Sequence, residues 1–225
     1  MISYRAWEAA KKVLVLGDPI YGLVDSKGIT HQFCNEQAIF ILANDGFFKE
    51  AEILKKNLET VNRGACWADR GWKCLAHYLD PDTQKGLGPW PDAAQESKSY
   101  FAKALAWWQK GERTNTFFYL GALLHLIQDL CVPYHASAVP FAGHQDFEGW
   151  ARKNRCVYRV KSDGIYDLAK EPEQWVYSNA RIAKQFYRPD GIKDRSFLHH
   201  TVGFLLPLAQ RTTTGFIRYF LTKLN

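Results

Sequence analysis

The sequence predicts an all-α protein built as a single multi-helix domain, and three observations carry that prediction. Apolar residues recur at three- and four-residue spacing along most of the chain, the period of helices buried on one side. Strand-like alternation is confined to one short stretch, Val157 to Leu168. A chain of 225 residues with 47% hydrophobic side chains is enough for one substantial core, and no linker divides it. The same composition excludes disorder as the main state. Apolar runs fall far short of the roughly 20 residues that a membrane-spanning helix needs. The net charge of +6 tilts the surface toward anionic partners without naming one.

The elements follow in order. A first helix starts with Thr30 as N-cap and carries His31, Cys34, Ala38, Ile41 and Leu42 on one stripe. It ends at Asn44-Asp45-Gly46. A second runs from Phe47 to Val61 over Ala51, Leu54, Leu58 and Val61. Cys66 to Leu79 fits neither template. Asp80 to Asp92 is a loop by its Pro, Gly and Asp content. Helices over Ala93–Gly111 and Asn115–Val132 follow, the latter stopped by Pro133 and apolar almost all round, so it is expected at the centre. A loop from Pro133 to Gly143 leads to a short helix over His144–Lys153. Val157 to Leu168 is expected as a small hairpin around Ser162-Asp163-Gly164. The last helix covers Phe197–Leu224, with Leu205, Leu208, Ala209, Thr212, Phe216 and Phe220 inward.

Five cysteines leave at least one thiol unpaired within the chain. Cys66 and Cys74 are close enough to bridge across a loop, and free thiols fit equally well. Residues 1–20 are expected to be a leader or extension, and 21–225 the working domain. The start has no secretory apolar region.

The chemistry concentrates in one string, His125-x3-Asp129-x5-His135-x8-His144-x3-Glu148. His125 and Asp129 share a face of the most apolar helix, with Gly121 and Ala122 expected to leave room beside the imidazole. A buried carboxylate there needs a partner. On its own the pair satisfies itself. Three histidines and two carboxylates within so short a stretch point instead to a metal, since imidazole and carboxylate are the usual ligands of zinc. Asp69, His77 and His31 are further candidate ligands. Several zinc ions close together neutralise a phosphate and activate a water between them. His199 and His200 are expected at the surface or at a helix cap, and Asp80-Pro81-Asp82 in a turn over the metal cleft.

These residues resemble the zinc-dependent bacterial phospholipases C and their relatives, the single-strand-specific P1/S1 nucleases. Residues 118–151, FYLGALLHLIQDLCVPYHASAVPFAGHQDFEGWA, are similar to the family's central motif. HYLDPDT at 77–83 resembles a phospholipase segment, and CWADR at 66–70 resembles the WAD segment of the nucleases. ITHQFCNEQAIFILAND at 29–45 and AQRTTTGFIRYFL at 209–221 resemble the phospholipases' first and last helices. The likeness covers residues 20–223.

The resemblance implies an all-α fold with zinc ions in a cleft. Asp69, His77, His125 and Asp129 would hold the first ion, and His135, His144 and Glu148 the second. His31 and a bridging Asp129 would hold a third, together with the amino group of an N-terminal Trp. This sequence has Tyr21 at the corresponding place with twenty residues before it, and Trp7 lies too early. Two zinc ions are therefore expected, and three if cleavage exposes Tyr21; Asp25 is a weak substitute for the amine. The activity implied is phosphodiester hydrolysis by zinc-bound hydroxide, with Asp69 as a candidate general base. A phospholipase C releasing diacylglycerol is the first reading, a nuclease the second, and a metal-stabilised lipid- or phosphate-binding protein the third. The partners implied are a phospholipid head group, peripherally a membrane, or nucleic acid under the nuclease reading, with no obligate protein partner. Arg70 would disfavour choline and suit an anionic head group or a nucleic-acid phosphate. The family is mostly secreted, which would favour a Cys66–Cys74 bridge.

Overall fold

The computed structural model describes residues 28–140 and 143–224. The leader, Trp7, Tyr21 and Asp25 lie outside the described residues. Among these there are eight α-helices and no strand; one isolated bridge pairs Asp80 with Lys85. The helices are α1 Ile29–Asn44, α2 Phe48–Ala68, α3 Ala93–Gln109, α4 Arg113–Asp129, α5 Pro133–Ala136, α6 His144–Asn154, α7 Pro172–Lys184 and α8 Arg195–Thr222. The all-α prediction holds. No described helix is long and apolar enough to cross a membrane.

Helix α4 is the centre, as its all-round apolarity predicts. Twelve of its residues are buried, and it packs on α2, α3, α7, α8 and α1. The crossing with α2 is backbone on backbone. A Cβ on Gly64 would stand 1.9 Å from the Phe118 carbonyl oxygen, and one on Gly121 the same distance from that of Val61. Both positions therefore require glycine. The room at Gly121 is filled by the α2 backbone and, against expectation, does not open beside His125. The apolar stripe of α2 continues past Val61 through Gly64, Ala65 and Ala68, so the helix runs seven residues further than expected.

Several expected boundaries shift for identifiable reasons. α1 is capped by Gly28 rather than Thr30. Gly28 has φ 96°, and a side chain there would meet the Cys66 sulfur. α4 ends at Asp129, and Pro133 starts the one-turn α5, where its missing N–H costs nothing. That turn replaces the first part of the expected loop. Asp92 caps α3 by accepting from the Gln95 N–H at 2.9 Å. All five cysteines are free, so Cys66 and Cys74 do not bridge.

The expected hairpin at 157–168 does not form. Its backbone groups find side chains of other helices instead of a partner strand. Gln210 of α8 accepts from the Val160 N–H and donates to the Tyr158 carbonyl, both at 2.9 Å. The Ile165 N–H donates to the Arg211 carbonyl, and Gly215 lets this strap lie against α8. Asp45, just past α1, accepts from the N–H groups of Asp163 (2.9 Å) and Gly164 (2.8 Å) and from the Tyr166 hydroxyl. Helix α7 was not anticipated, although Pro172 at its first turn and the spacing of Trp175, Val176, Asn179, Ala180 and Ala183 are helix signals. Its Lys184 pairs with Asp80 (2.6 Å) and Asp82 (2.7 Å), so that turn faces α7 instead of covering the metal cleft. His199 is exposed on α8 and hydrogen-bonds the Tyr158 hydroxyl at 2.8 Å; the cap of α8 is Asp194.

Two predictions follow from these contacts. Gly121→Ala forces apart α2 and α4 and destabilises by about 1–3 kcal/mol, a fall in Tm of roughly 2–4 °C per kcal/mol in thermal unfolding. Asp45→Ala costs about 1–2 kcal/mol near neutral pH. Burial disfavours the ionised Asp45, but its hydrogen bonds from Tyr166, Gly164 and Asp163 outweigh burial and hold the carboxyl below its usual range. The wild-type advantage is therefore full above about pH 4 and disappears as pH falls through the lowered value. Denaturant titrations of both proteins across that range read it out.

Candidate metal centre

The candidate ligands come together from six neighbouring segments, and all of them except His125, which lies behind, line one cleft of about 960 Å³. α1 carries His31. Asp69 is the residue that ends α2. His77 follows the 3-10 turn Gly71–Ala76. α4 supplies His125 and Asp129 from its last turns, α5 supplies His135, and α6 supplies His144 and Glu148. All eight residues singled out in the sequence converge here.

They form three sets, each with donor atoms within 4.8 Å of one another: Asp69, His77 and His125; His31, His125 and Asp129; and His135, His144 and Glu148. His125 Nε2 stands 3.2 Å from His77 Nδ1, 3.4 Å from Asp69 Oδ1 and 3.0 Å from Asp129 Oδ2. His77 Nδ1 lies 2.9 Å from Asp129 Oδ2 and 3.8 Å from Asp69 Oδ1. In the third set His144 Nε2 is 2.8 Å from His135 Nε2 and 2.8 Å from Glu148 Oε1, and His135 is 3.3 Å from that oxygen. Asp129 joins the sets: Oδ1 is 3.5 Å from His31 Nε2, and Oδ2 is 3.9 Å from His135 Nε2.

These separations fit zinc. Ligands at ~2.0–2.2 Å from a tetrahedral ion stand roughly 3.3–3.6 Å apart, the middle of the observed spread. The hydrogen bond behind the His135 ring fits too. His135 Nδ1 faces the His77 carbonyl at 3.1 Å. A carbonyl only accepts, so Nδ1 carries a proton, and the ring in its neutral form turns the lone pair of Nε2 toward His144 and Glu148. Tyr78 stacks on the His135 ring, centroids 4.5 Å apart, and holds its plane. Neither Tyr78 nor Gln128, whose amide contacts His31 at 2.8 Å, was singled out in the sequence. Neither has a spacing signal; only the fold brings them to the rings.

The electrostatics are those of an anionic site lined by imidazoles. Burial works against each carboxylate, but the neighbouring histidines outweigh it. Asp69 and Asp129 are held well below the ordinary range, chiefly by His125, and Glu148 is brought down to about 2 by His135 and His144. Burial likewise opposes the charged forms of His125 and His135, yet Asp129, with Asp69 or Glu148, pushes both upward. His31 and His77 move the other way, with burial the main cause. Arg70, weighed as a head-group determinant, is exposed and is not among the cleft-lining residues.

Comparison with known proteins decides the family. The family model described as zinc dependent phospholipase C matches residues 30–196. The chain belongs to the zinc-dependent phospholipase C family. Within it, a phospholipase C of Clostridium perfringens (strain 13 / Type A) is 27% identical over an alignment covering 98% of this chain and 64% of that protein. A phospholipase C of Bacillus cereus is 29% identical over 64% of this chain and 60% of its own length. The chain thus spans under two thirds of these relatives. The alpha-toxin of Clostridium absonum has the same fold, with a TM-score of 0.75 at 23% identity over 87% of this chain and 64% of that one. The C. perfringens alpha-toxin from an avian strain gives 0.73 at 24%, over 87% and 63%.

Zinc entering this site must displace the protons held on His125 and His135. Zinc uptake by metal-depleted protein is therefore expected to release protons, and its apparent affinity to go on rising with pH above the ordinary histidine value of about 6.5, because both rings hold their protons more tightly than a free imidazole. Calorimetry in buffers of different ionisation enthalpy measures both.

Proposed function

We propose that this chain is a zinc-dependent phosphodiester hydrolase of the phospholipase C type, releasing diacylglycerol from a phospholipid. The observation that carries the reading is the convergence of eight imidazole and carboxylate donors at the separations of shared zinc ligands, all but His125 lining a cleft large enough for a head group. Asp69, His77, His125 and Asp129 would hold one ion, His135, His144 and Glu148 a second, and His31 with Asp129 a third where a further ligand completes it. Two ions are the base expectation, and residues 21–225 the working domain. Zinc in such sites lowers the pKa of bound water toward 7 and offsets charge on phosphate oxygens.

The chain's own residues set the geometry. Asp129 turns one oxygen to His31 and the other to His77 and His125, so it could be shared between two ion sites. Asp69 is the most open residue of its set, its side chain 30% exposed against 2% for His77. Its depressed pKa keeps it ionised at neutral pH, so Oδ2 can accept a hydrogen bond from the attacking water and orient it. The same low proton affinity makes Asp69 a better ligand and orienting group than a final proton acceptor. Glu148, 42% exposed, is the corresponding open carboxylate of the other set. The named relatives favour a lipid substrate over nucleic acid.

Assaying phosphatidylcholine, phosphatidylinositol and single-stranded DNA side by side tests the proposal. Zinc-dependent turnover of a phospholipid, lost with the metal in His125→Ala, is the expected result. Turnover of DNA alone would move the protein to the nuclease reading. Metal retention without turnover on any of the three would leave a binding protein.

A further inference from the structure

Four amide and hydroxyl side chains, three of them buried, form a thread behind His31. Asn35 on α1, Gln128 on α4 and Thr213 on α8 are buried, and Asn62 on α2 is partly buried. Burying amides in an apolar core is costly unless every group is paired. Here they are paired in one direction.

Asn35 spends its Nδ2 on Asn62 Oδ1 at 2.9 Å, so it offers only its carbonyl oxygen to Gln128. Gln128 must therefore present Nε2, which donates to Asn35 Oδ1 at 2.9 Å and to Thr213 Oγ1 at 3.0 Å. That leaves Oε1 for His31 Nδ1, at 2.8 Å. A carbonyl oxygen only accepts, so Nδ1 carries the proton, and the neutral ring keeps its lone pair on Nε2. Nε2 faces Asp129 Oδ1 at 3.5 Å, long for a hydrogen bond but close to the spacing of two ligands on one zinc ion. Reversing the thread would put a proton on Nε2 and remove the lone pair.

We infer that Gln128 is a positioning residue: held by Asn35, Asn62 and Thr213, it sets the tautomer of His31 that can bind a metal beside Asp129. The inference rests on the zinc reading of this corner of the cleft. It assigns the thread a purpose that core packing alone does not require, since apolar residues of similar volume would fill the space.

The test compares His31→Ala, Gln128→Leu and Gln128→Glu in the full chain, by zinc-binding isotherms with elemental analysis. Long-range 1H–15N NMR of the wild type, zinc-depleted, reads the tautomer. The wild type is expected to show His31 protonated at Nδ1 only. Under zinc in excess of the two ions of the base expectation, so that the His31 corner is filled, Gln128→Leu should weaken that last zinc about 10–100-fold, His31→Ala should lose it, and Gln128→Glu, which keeps an acceptor against Nδ1 but loses the donors to Asn35 and Thr213, should hold it more tightly than Gln128→Leu. A wild-type His31 protonated at Nε2 overturns the inference, even if Gln128→Leu fails to fold. Zinc lost in His31→Ala but unchanged in folded Gln128→Leu overturns the thread's role alone. An unchanged isotherm in His31→Ala overturns the metal reading of this corner and the inference with it.

Discussion

Where α2 crosses α4, no side chain separates the two backbones: Gly64 faces the Phe118 carbonyl and Gly121 faces that of Val61. Helices normally pack about 8–10 Å apart, at a distance set by the side chains between them, and here that spacer is absent. The consequence is felt one turn further along each helix. α2 ends at Asp69 and α4 passes His125, and the two side chains meet at 3.4 Å. A methyl group at either glycine would separate the helices by an amount comparable to the tolerance of a metal site. The crossing thus sets the spacing of Asp69 and His125, and with it that of the first candidate set, before any metal chemistry enters.

A second constraint is charge. Asp129 is almost fully buried and ionised, and such a group is stable only with partners of good geometry. Its two oxygens meet His31, His77, His125 and His135, which come from four different segments. The carboxylate therefore acts as the hub that those segments share. Because it is centred between the sets, a change at Asp129 would propagate to all of them, whereas a change at His144 or Glu148 stays within one.

How much of this was legible in the sequence depends on distance along the chain. His125 and Asp129, like His144 and Glu148, are four residues apart on helices, so one period fixes their shared face. The long helices were readable for the same reason: the inward residues of α8 were those its spacing selects. Asp69, His77 and His31 could be joined to the others only through the family likeness, because their approach depends on a helix crossing. The strap at 157–168 misled for a physical reason. Its alternating pattern is real, but its backbone is satisfied by Gln210 and Asp45, which are distant in sequence and carry no strand signal. Gly121 announces a close approach in the sequence, but nothing local says that the α2 backbone at Val61 makes it. Gln128 passed as one more residue in an apolar helix, since nothing local says what a buried amide faces.

The order of the elements has a consequence for how the chain comes into being. Every candidate ligand is encoded before the end of α6, while α8, which packs over α1, is translated after all of them. During synthesis the histidine-bearing helices emerge with part of their apolar surface uncovered, and the thread through Gln128 lacks Thr213 until α8 arrives. The candidate ligands are thus made first and locked last. A nascent chain arrested before α8 would carry the full donor set without the packing that aims it, a state prone to capture the wrong metal or a neighbouring chain.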